Sequence, residues 1–384
     1  MRRGAGGAPL GVLALASAVA FIEALLFTSM APLLPHYEET LDLSESVAGV
    51  FVASYALGAF SAAFPSMAVA RRAGVKVTVT AGFVVLASAT FALAVSDSLP
   101  GVVGARFAQG AGSALALTGA IAWLTGATDT SQRAAAIGLA FSAAFIGALL
   151  GPVVGATAAS AGITLVFTAV AISTVGLGVA TLALEAPPRA RADETPPLLQ
   201  LFHDQAARVG IWLILVAGIH LGVIGVLVPL QFDHLGLSAV QIGAVFATAA
   251  VIQAIASPLF GRLADVRGRE FPIRIALWTS TVAFVLLTFD GRVLLYASVA
   301  LVCIVSLGMI WTPSMALLAD AAERRGFDQS TAAGMMNVAW APGFAVGGIV
   351  AGVLAETFGD AVPYVLMSAI CVASLVLLGR HRSG

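Results

Sequence analysis

The chain alternates long apolar stretches with short polar breaks, at a spacing typical of helices that cross a lipid bilayer. A helix needs about 20 mostly apolar residues to span the bilayer core. Twelve stretches meet this requirement, near residues 8–35, 45–69, 76–96, 99–126, 132–157, 162–184, 209–232, 238–260, 272–290, 292–319, 329–356 and 360–379. The pattern therefore predicts an all-α integral membrane protein with twelve transmembrane helices.

The composition excludes a soluble globular class. Hydrophobic residues make up 59% of the chain and charged residues 10%, and the mean hydropathy is +0.99. A soluble domain carries roughly 25% charged and about 45–50% apolar residues.

The chain repeats itself across its middle. Equivalent residues are Glu23 with His220, Pro32 with Pro229 and Gly151 with Gly348, each 197 positions apart, and Ser44 with Ser238, 194 apart. Internal repeats of this kind are typical of transporters whose site lies between two halves. We expect two pseudo-symmetric six-helix bundles, 1–184 and 209–384, joined by a linker over 185–208.

The basic residues indicate the orientation. Twelve spans place both termini on one side, and with that side in the cytoplasm only Arg292 falls outside, while Arg106 lies within a span. This asymmetry follows the positive-inside rule. The strong excess of arginine over lysine suggests the coding bias of a GC-rich bacterial genome. We expect a multi-pass protein of the bacterial cytoplasmic membrane with both termini cytoplasmic.

Four sequence patterns narrow the family. They are Glu23 to Pro35 in span one, Arg106 to Ala114 in span four, Gly147 to Gly155 in span five, and Gly261 to Arg269 between spans eight and nine. Together they resemble the major facilitator superfamily, more narrowly its twelve-span drug:proton antiporters, including the branch related to vesicular amine transporters. The resemblance covers the whole chain. It implies alternating access driven by a proton gradient, with no cofactor.

The glycines of span five recur every four residues. Gly147, Gly151 and Gly155 leave one helix face bare, and Pro152 removes a backbone donor and favours a bend. By resemblance this is the antiporter motif, a seam at which helices slide or seal. The alternative is ordinary packing of small residues.

The loop between spans eight and nine resembles the family's cytoplasmic gate. That gate would comprise Gly261, Arg262, Asp265, Gly268 and Arg269. The matching loop of the first half has Arg71 where Asp265 stands, so that copy lacks the acid. Alternatively, both loops are basic anchors at the membrane face.

Glu23 is the strongest candidate for proton coupling, because it is a carboxylate in the middle of a span. A charge at a helix centre costs about 2.5–3.5 kcal/mol on insertion scales. Arg106 is expected to line the same cavity. A carboxylate that exchanges a proton for substrate would perform antiport. The alternative is a static Glu23–Arg106 pair that fixes helix packing.

Other polar and aromatic residues extend the candidate site. His220 is either a second proton site or a packing residue bonded to a backbone carbonyl. The substrate cavity would be lined by Phe27, Tyr55, Gln109, Gln253, Trp311, Asn337 and Trp340. These aromatic residues could equally serve helix packing.

The substrate is the least determined part of the prediction. Vesicular amine carriers of this family have acids in spans seven and ten, where this chain has Gly225 and Gly308. Our first hypothesis is proton-coupled efflux of lipophilic drugs or natural products. The alternatives are an uncoupled facilitator or importer of a small metabolite, and a transporter-like sensor or membrane enzyme.

The remaining classes receive little support from the residues. The sequence has no nucleophile–base pair, metal cluster or phosphate loop, so no enzyme or metal site is predicted. We expect small-molecule substrate, protons and lipid bilayer as partners, no nucleic acid, and a monomer.

Overall fold

The structure, a computed structural model, describes residues 9–129, 132–185, 203–289, 292–325 and 329–380. Regular structure within these ranges is entirely helical. The helices are α1 (Leu10–Thr28), a 3-10 turn (Ala31–Leu33), α2 (Leu34–Leu41), α3 (Glu45–Ala73), α4 (Val75–Val95), α5 (Leu99–Ala127), α6 (Arg133–Ala161), α7 (Ile163–Leu182), α8 (Gln205–His234), α9 (Ala239–Arg267), α10 (Glu270–Leu287), α11 (Val293–Arg324), α12 (Gln329–Phe358) and α13 (Ala361–Arg380).

Twelve helical spans are long and apolar enough to cross a membrane, which confirms the predicted all-α, twelve-span architecture. The first span, Leu10–Leu41, is broken between α1 and α2. Pro32 and Pro35 lie at this break, and proline cannot donate the backbone N–H that would continue the helix.

The bundle has two ends, which we name for use below. The linker end carries residue 185, Asp204 and the turns at Gly74 and Gly268. The far end carries the turns at 42–44 and 235–238. Gly74 (φ 97°) and Gly268 (φ 83°) occupy equivalent tight turns in the two halves, and their positive φ explains the glycine.

The seventh span begins earlier than the sequence pattern predicts. α8 starts at Gln205 rather than at 209, because the Asp204 carboxylate accepts from the N–H groups of Ala206 (2.9 Å) and Ala207 (3.2 Å). Such a cap satisfies donors that have no partner within the helix. The predicted linker therefore loses its last residues to the helix.

In each half, a basic side chain at the start of the third span donates hydrogen bonds to carbonyls at the end of the last span. Lys76 at the start of α4 donates to the carbonyls of Leu182 (2.6 Å) and Leu184 (2.8 Å) at the end of α7. Arg274 at the start of α10 donates to the Leu378 carbonyl (2.9 Å) near the end of α13. A cation is favourable at a helix C-terminus. The structural repeat thus extends to the helix ends.

The two halves meet closely at the far end. A Cβ at Gly49 of α3 would overlap the carbonyl oxygen of Gly348 in α12, so the two backbones touch. The Ser46 N–H donates to Glu356 Oε2 (3.0 Å) across the same interface. A Cβ at Gly243 of α9 would lie 2.9 Å from the Pro152 carbonyl oxygen of α6. Small residues let helices approach closely in a membrane.

The contact between the halves loosens toward the linker end. Phe60 and Phe64 lie on the α3 face that carries Gly49, about three and four turns further on. They are 38% and 50% exposed, although the same face is buried against α12 at the far end. α3 is therefore packed against α12 at the far end and exposes Phe60 and Phe64 at the linker end.

Candidate functional site

A polar cluster lies inside the first half, where α1, α3, α4 and α5 meet. Arg106 is 2% exposed, and its Nη1 donates to Gln109 Oε1 (2.9 Å) and to the Leu26 carbonyl (3.1 Å). Gln109 Nε2 in turn donates to the Thr90 hydroxyl (3.0 Å). The guanidinium also stacks over the Tyr55 ring, with its carbon 4.6 Å from the ring centroid. Among the described residues, no acidic side chain forms an ion pair with this buried cation.

Glu23 stands beside this network rather than within it. Its carboxylate lies within hydrogen-bonding reach of the Ser113 hydroxyl, and Tyr55 approaches the same serine. Glu23 remains partly exposed, whereas Arg106 is buried. Among the described residues, the ion pairs within 4.0 Å do not include Glu23 with Arg106. The static Glu23–Arg106 pair considered from the sequence is therefore not what this structure contains.

An aromatic cluster joins the two halves one turn beyond Glu23. The Phe27 ring contacts Tyr55 (5.4 Å between centroids) in the first half and Trp340 (5.5 Å) and Phe344 (5.1 Å) in the second. Phe27 follows Glu23 by four residues in α1, toward the far end. The cluster thus separates Glu23 from the far end of the bundle.

The other residues expected to line the cavity are not part of the aromatic cluster as the structure describes it. Gln109 is fully buried because both ends of its amide are bonded inside the first half, so it does not line a cavity in this conformation. Gln253 and Trp311 are half-buried on α9 and α11, apart from the aromatic cluster. The side chain of Asn337 lies outside the described part of the chain.

His220 is a packing residue in this structure. It is fully buried, its Nε2 lies 3.1 Å from the Cys303 carbonyl oxygen, and its ring contacts Phe284 (4.7 Å between centroids). Nδ1 is buried without a hydrogen-bonding partner among the described residues. The geometry matches the simpler of the two sequence interpretations, in which the imidazole bonds a backbone carbonyl.

The glycines of span five pack directly on α1. A Cβ at Gly147 would overlap the Phe21 carbonyl oxygen, one at Gly151 the Thr28 hydroxyl, and one at Gly155 the Ser29 carbonyl oxygen. The bare glycine face of α6 therefore packs against the helix that carries Glu23, and the neighbouring Pro152 carbonyl oxygen lies near Gly243 of α9.

The predicted gate residues are only partly engaged. Arg269 forms an ion pair with Asp320 near the end of α11, and Gly268 ends α9. Arg262 is exposed, and a Cβ at Gly261 would meet no atom within 4 Å. The side chain of Asp265 lies outside the described residues. The contacts seen here stay within the second half.

One groove of the described structure lies away from this site. It has a volume of about 470 Å³ and lies between α10 and α11, lined by Trp278, Thr279 and Ser298 among others. Trp278 is 60% exposed on the outer surface of the bundle. In a membrane this groove faces lipid, so we place the functional site at Glu23 instead.

Sequence reasoning missed three members of the site. Ser113 lies on the same face of α5 as Gln109, one helical turn earlier, and Arg106, two turns earlier. This helical spacing could have identified Ser113 from the sequence. Phe344 follows Trp340 by one turn and could have been found in the same way. Nothing in the local sequence distinguishes Thr90.

Comparison with known proteins identifies the family. The family model described as Major Facilitator Superfamily matches the chain twice, over residues 16–232 and 211–383. The chain belongs to the Major Facilitator Superfamily. Its members are transporters, so this protein is a multi-pass membrane transporter and not an enzyme. The double match agrees with the repeat that relates Glu23 to His220.

Solved structures share the major facilitator fold with this chain. The nucleoside transporter NupG is 13% identical, with a TM-score of 0.73 over 95% of this chain and 98% of that one. A D-xylose-proton symporter is 14% identical, with a TM-score of 0.75 over 96% of each chain. At this identity the likeness concerns the fold alone. No curated protein matches the sequence.

Proposed function

We propose that this major facilitator protein is a proton-coupled secondary transporter in which Glu23 exchanges a proton for an organic substrate. The observation that carries the proposal is the position of this carboxylate. It lies in the middle of a span, partly exposed and without an ion-pair partner among the described residues. Carboxylates inside a membrane are costly, and where they occur they serve proton relays and substrate sites.

The proposed direction is efflux. With the linker end in the cytoplasm, as the distribution of arginines favours, the end at which Phe60 and Phe64 are exposed faces the cell interior. Substrate from the cytoplasm would reach Glu23 from that side. The contact of Phe27 with Trp340 and Phe344 would block passage to the exterior until the halves rock.

The proposed substrates are lipophilic drugs or natural products. The rings of Phe27, Tyr55, Trp340 and Phe344 pack together near one carboxylate, and they would offer apolar surface to a substrate when the halves separate. Aromatic walls with few polar groups are typical of small-molecule sites. One acid beside several rings suits weakly cationic or neutral compounds.

A second candidate function is uptake of a small metabolite on the same fold. The observation in its favour is the likeness to a nucleoside transporter and to a D-xylose-proton symporter. Sugar and nucleoside rings also stack on aromatic side chains, so the cluster around Phe27 would serve them too.

One reconstitution experiment separates the two. Purified protein is placed in proteoliposomes with an imposed pH gradient and an internal pH dye, and is offered ethidium, tetraphenylphosphonium, uridine or D-xylose. Drug efflux predicts proton movement opposite to the flow of ethidium or tetraphenylphosphonium, lost in Glu23→Gln and kept in the surface control Glu39→Gln. Protons that move together with uridine or D-xylose would instead establish symport. Coupling that survives in Glu23→Gln would remove Glu23 from the mechanism.

A further inference from the structure

The proline inside α6 leaves one backbone carbonyl without its helical partner. Pro152 has no N–H, so the carbonyl of Ala148, four residues earlier, receives no i to i+4 hydrogen bond. An unsatisfied backbone acceptor is costly inside a membrane, where no water replaces the missing donor.

Thr28, the last residue of α1, supplies a donor to this carbonyl. Its hydroxyl lies 3.3 Å from the Ala148 carbonyl oxygen and 2.8 Å from that of Ala24 in its own helix. The single hydroxyl proton is thus shared between α1 and α6. The side chain stands in for the N–H that Pro152 lacks.

The surrounding glycine makes room for this contact. A Cβ at Gly151 would overlap the Thr28 hydroxyl and would lie 2.6 Å from the Leu25 carbonyl oxygen. The hydroxyl therefore occupies the hollow beside Pro152, and no other residue at 151 would leave it free. Glycine and proline act together here: one admits the hydroxyl and the other leaves the acceptor free.

The backbone of α6 at Pro152 also contacts the second half. The Pro152 carbonyl oxygen lies 2.9 Å from where a Cβ of Gly243 in α9 would be. Glu23 lies on α1, five residues before Thr28. α9 therefore contacts α6 at Pro152, and α6 contacts α1 through Ala148 and Thr28. α1 is the helix that carries Glu23.

We propose that Thr28 is a positioning residue for transport. Its hydroxyl holds α1, the helix that carries Glu23, against α6 beside Pro152. As a result, α1 follows α6 when the second half moves. The transport role rests on the proposed function of Glu23. The hydroxyl's replacement of the missing N–H does not, and it can be tested separately.

The first test is a double-mutant cycle on thermal stability of the purified full-length protein. Thr28→Val keeps the shape and removes the donor, Thr28→Ser keeps the donor, and Pro152→Ala restores the backbone N–H. Thr28→Val should lower the melting temperature in the native background and leave it unchanged in the Pro152→Ala background, because Ala148 then has its helical partner. Equal losses in both backgrounds would overturn the proposal.

The second test measures transport, using whichever of ethidium and uridine the wild-type protein moves. Thr28→Val should reduce the maximal rate about fivefold, the factor that corresponds to one neutral hydrogen bond, with KM unchanged and the rate restored in Thr28→Ser. A wild-type rate in Thr28→Val would overturn the positioning role. Because the thermal cycle needs neither substrate nor Glu23, failure of the proposed proton coupling would show up only in Glu23→Gln.

Discussion

The two halves share one framework and fill its centre with different chemistry. In the first half, Glu23 lies near Ser113, and Gln109 bonds both Arg106 and Thr90. In the second half, the residue that matches Glu23 is His220, which contacts Cys303 and Phe284. Cys303 and Phe284 lie 194 positions after Gln109 and Thr90 and are their counterparts. One half therefore buries a polar network beside a carboxylate, and the other a histidine among weakly polar and apolar groups.

The second half instead has ion pairs at the linker end. Asp204 pairs with Arg324 (3.4 Å) and Arg325 (3.7 Å), and Arg269 pairs with Asp320. Charged groups in this position remain near water, where they cost little and fix helix ends. In a duplicated fold, one half can thus carry the residue proposed for proton coupling, while the other half has its ion pairs at the membrane surface.

The largest expected effect comes from exchanging Glu23 for glutamine. Glu23→Gln should reduce proton-driven transport to the level of protein-free vesicles, because an amide cannot carry the proton. Exchange of labelled for unlabelled substrate, which needs no net proton transfer, should persist. Counterflow and gradient-driven uptake by the same proteoliposomes measure the two. Loss of both activities would point to a substrate-binding role alone.

The paired glycines Gly151 and Gly348 give the second test. Alanine at 151 would overlap the Thr28 hydroxyl, whereas at 348 the nearest atom is the Gly49 carbonyl oxygen at 3.4 Å. Gly151→Ala should therefore separate α1 from α6 and lower the transport rate at least about tenfold, since overpacking a tight contact costs typically 1–3 kcal/mol. Gly348→Ala should keep most activity. Similar rates in the two variants, at equal expression, would contradict the comparison.

A smaller effect is expected at the linker end. Partial burial would raise the pKa of the Asp204 carboxyl, but the Ala207 N–H, the Arg324 guanidinium and the Ala206 N–H together lower it below 3.8. A carboxyl whose pKa is lowered by folding adds stability above its unfolded pKa, and this contribution is lost as the pH falls through the folded value.

Asp204→Asn keeps the cap and removes the charge. It should lower stability at pH 7 by about 0.5–1 kcal/mol, with the difference from wild type shrinking as the pH falls below 3.8. Melting temperatures of both proteins across a pH series measure this. Transport coupling should not change, and a shifted proton dependence would tie the linker end to the central site.

The smallest expected effect on coupling is that of His220→Gln. The imidazole is fully buried and bonds the Cys303 carbonyl, so it has no path to a substrate in this conformation. The pH profile of transport should match that of the wild type, although packing against Phe284 will suffer. A profile displaced relative to that of wild type would return His220 to the group of proton sites.

The helices and the repeat could be predicted from the sequence alone, and Glu23 could be chosen there as the leading candidate for proton coupling. Apolar stretches of sufficient length predict spans wherever they occur, because the bilayer requires every backbone group to be bonded within its own helix. Glu23 could be singled out because a carboxylate in the middle of a span is costly in free energy, and such residues usually serve a function. The break at Pro32 is equally local, since it follows from a missing N–H.

Which side chains come into contact depends on the packing of the helices against one another. Gln109 was expected in the cavity and is instead bonded between Arg106 and Thr90, since the rotation of α5 about its axis depends on its contacts with α3 and α4. The meeting of Thr28 with the Ala148 carbonyl likewise depends on how closely α1 seats on α6. Helix rotation and separation arise from packing between segments far apart in sequence, and no local pattern encodes them.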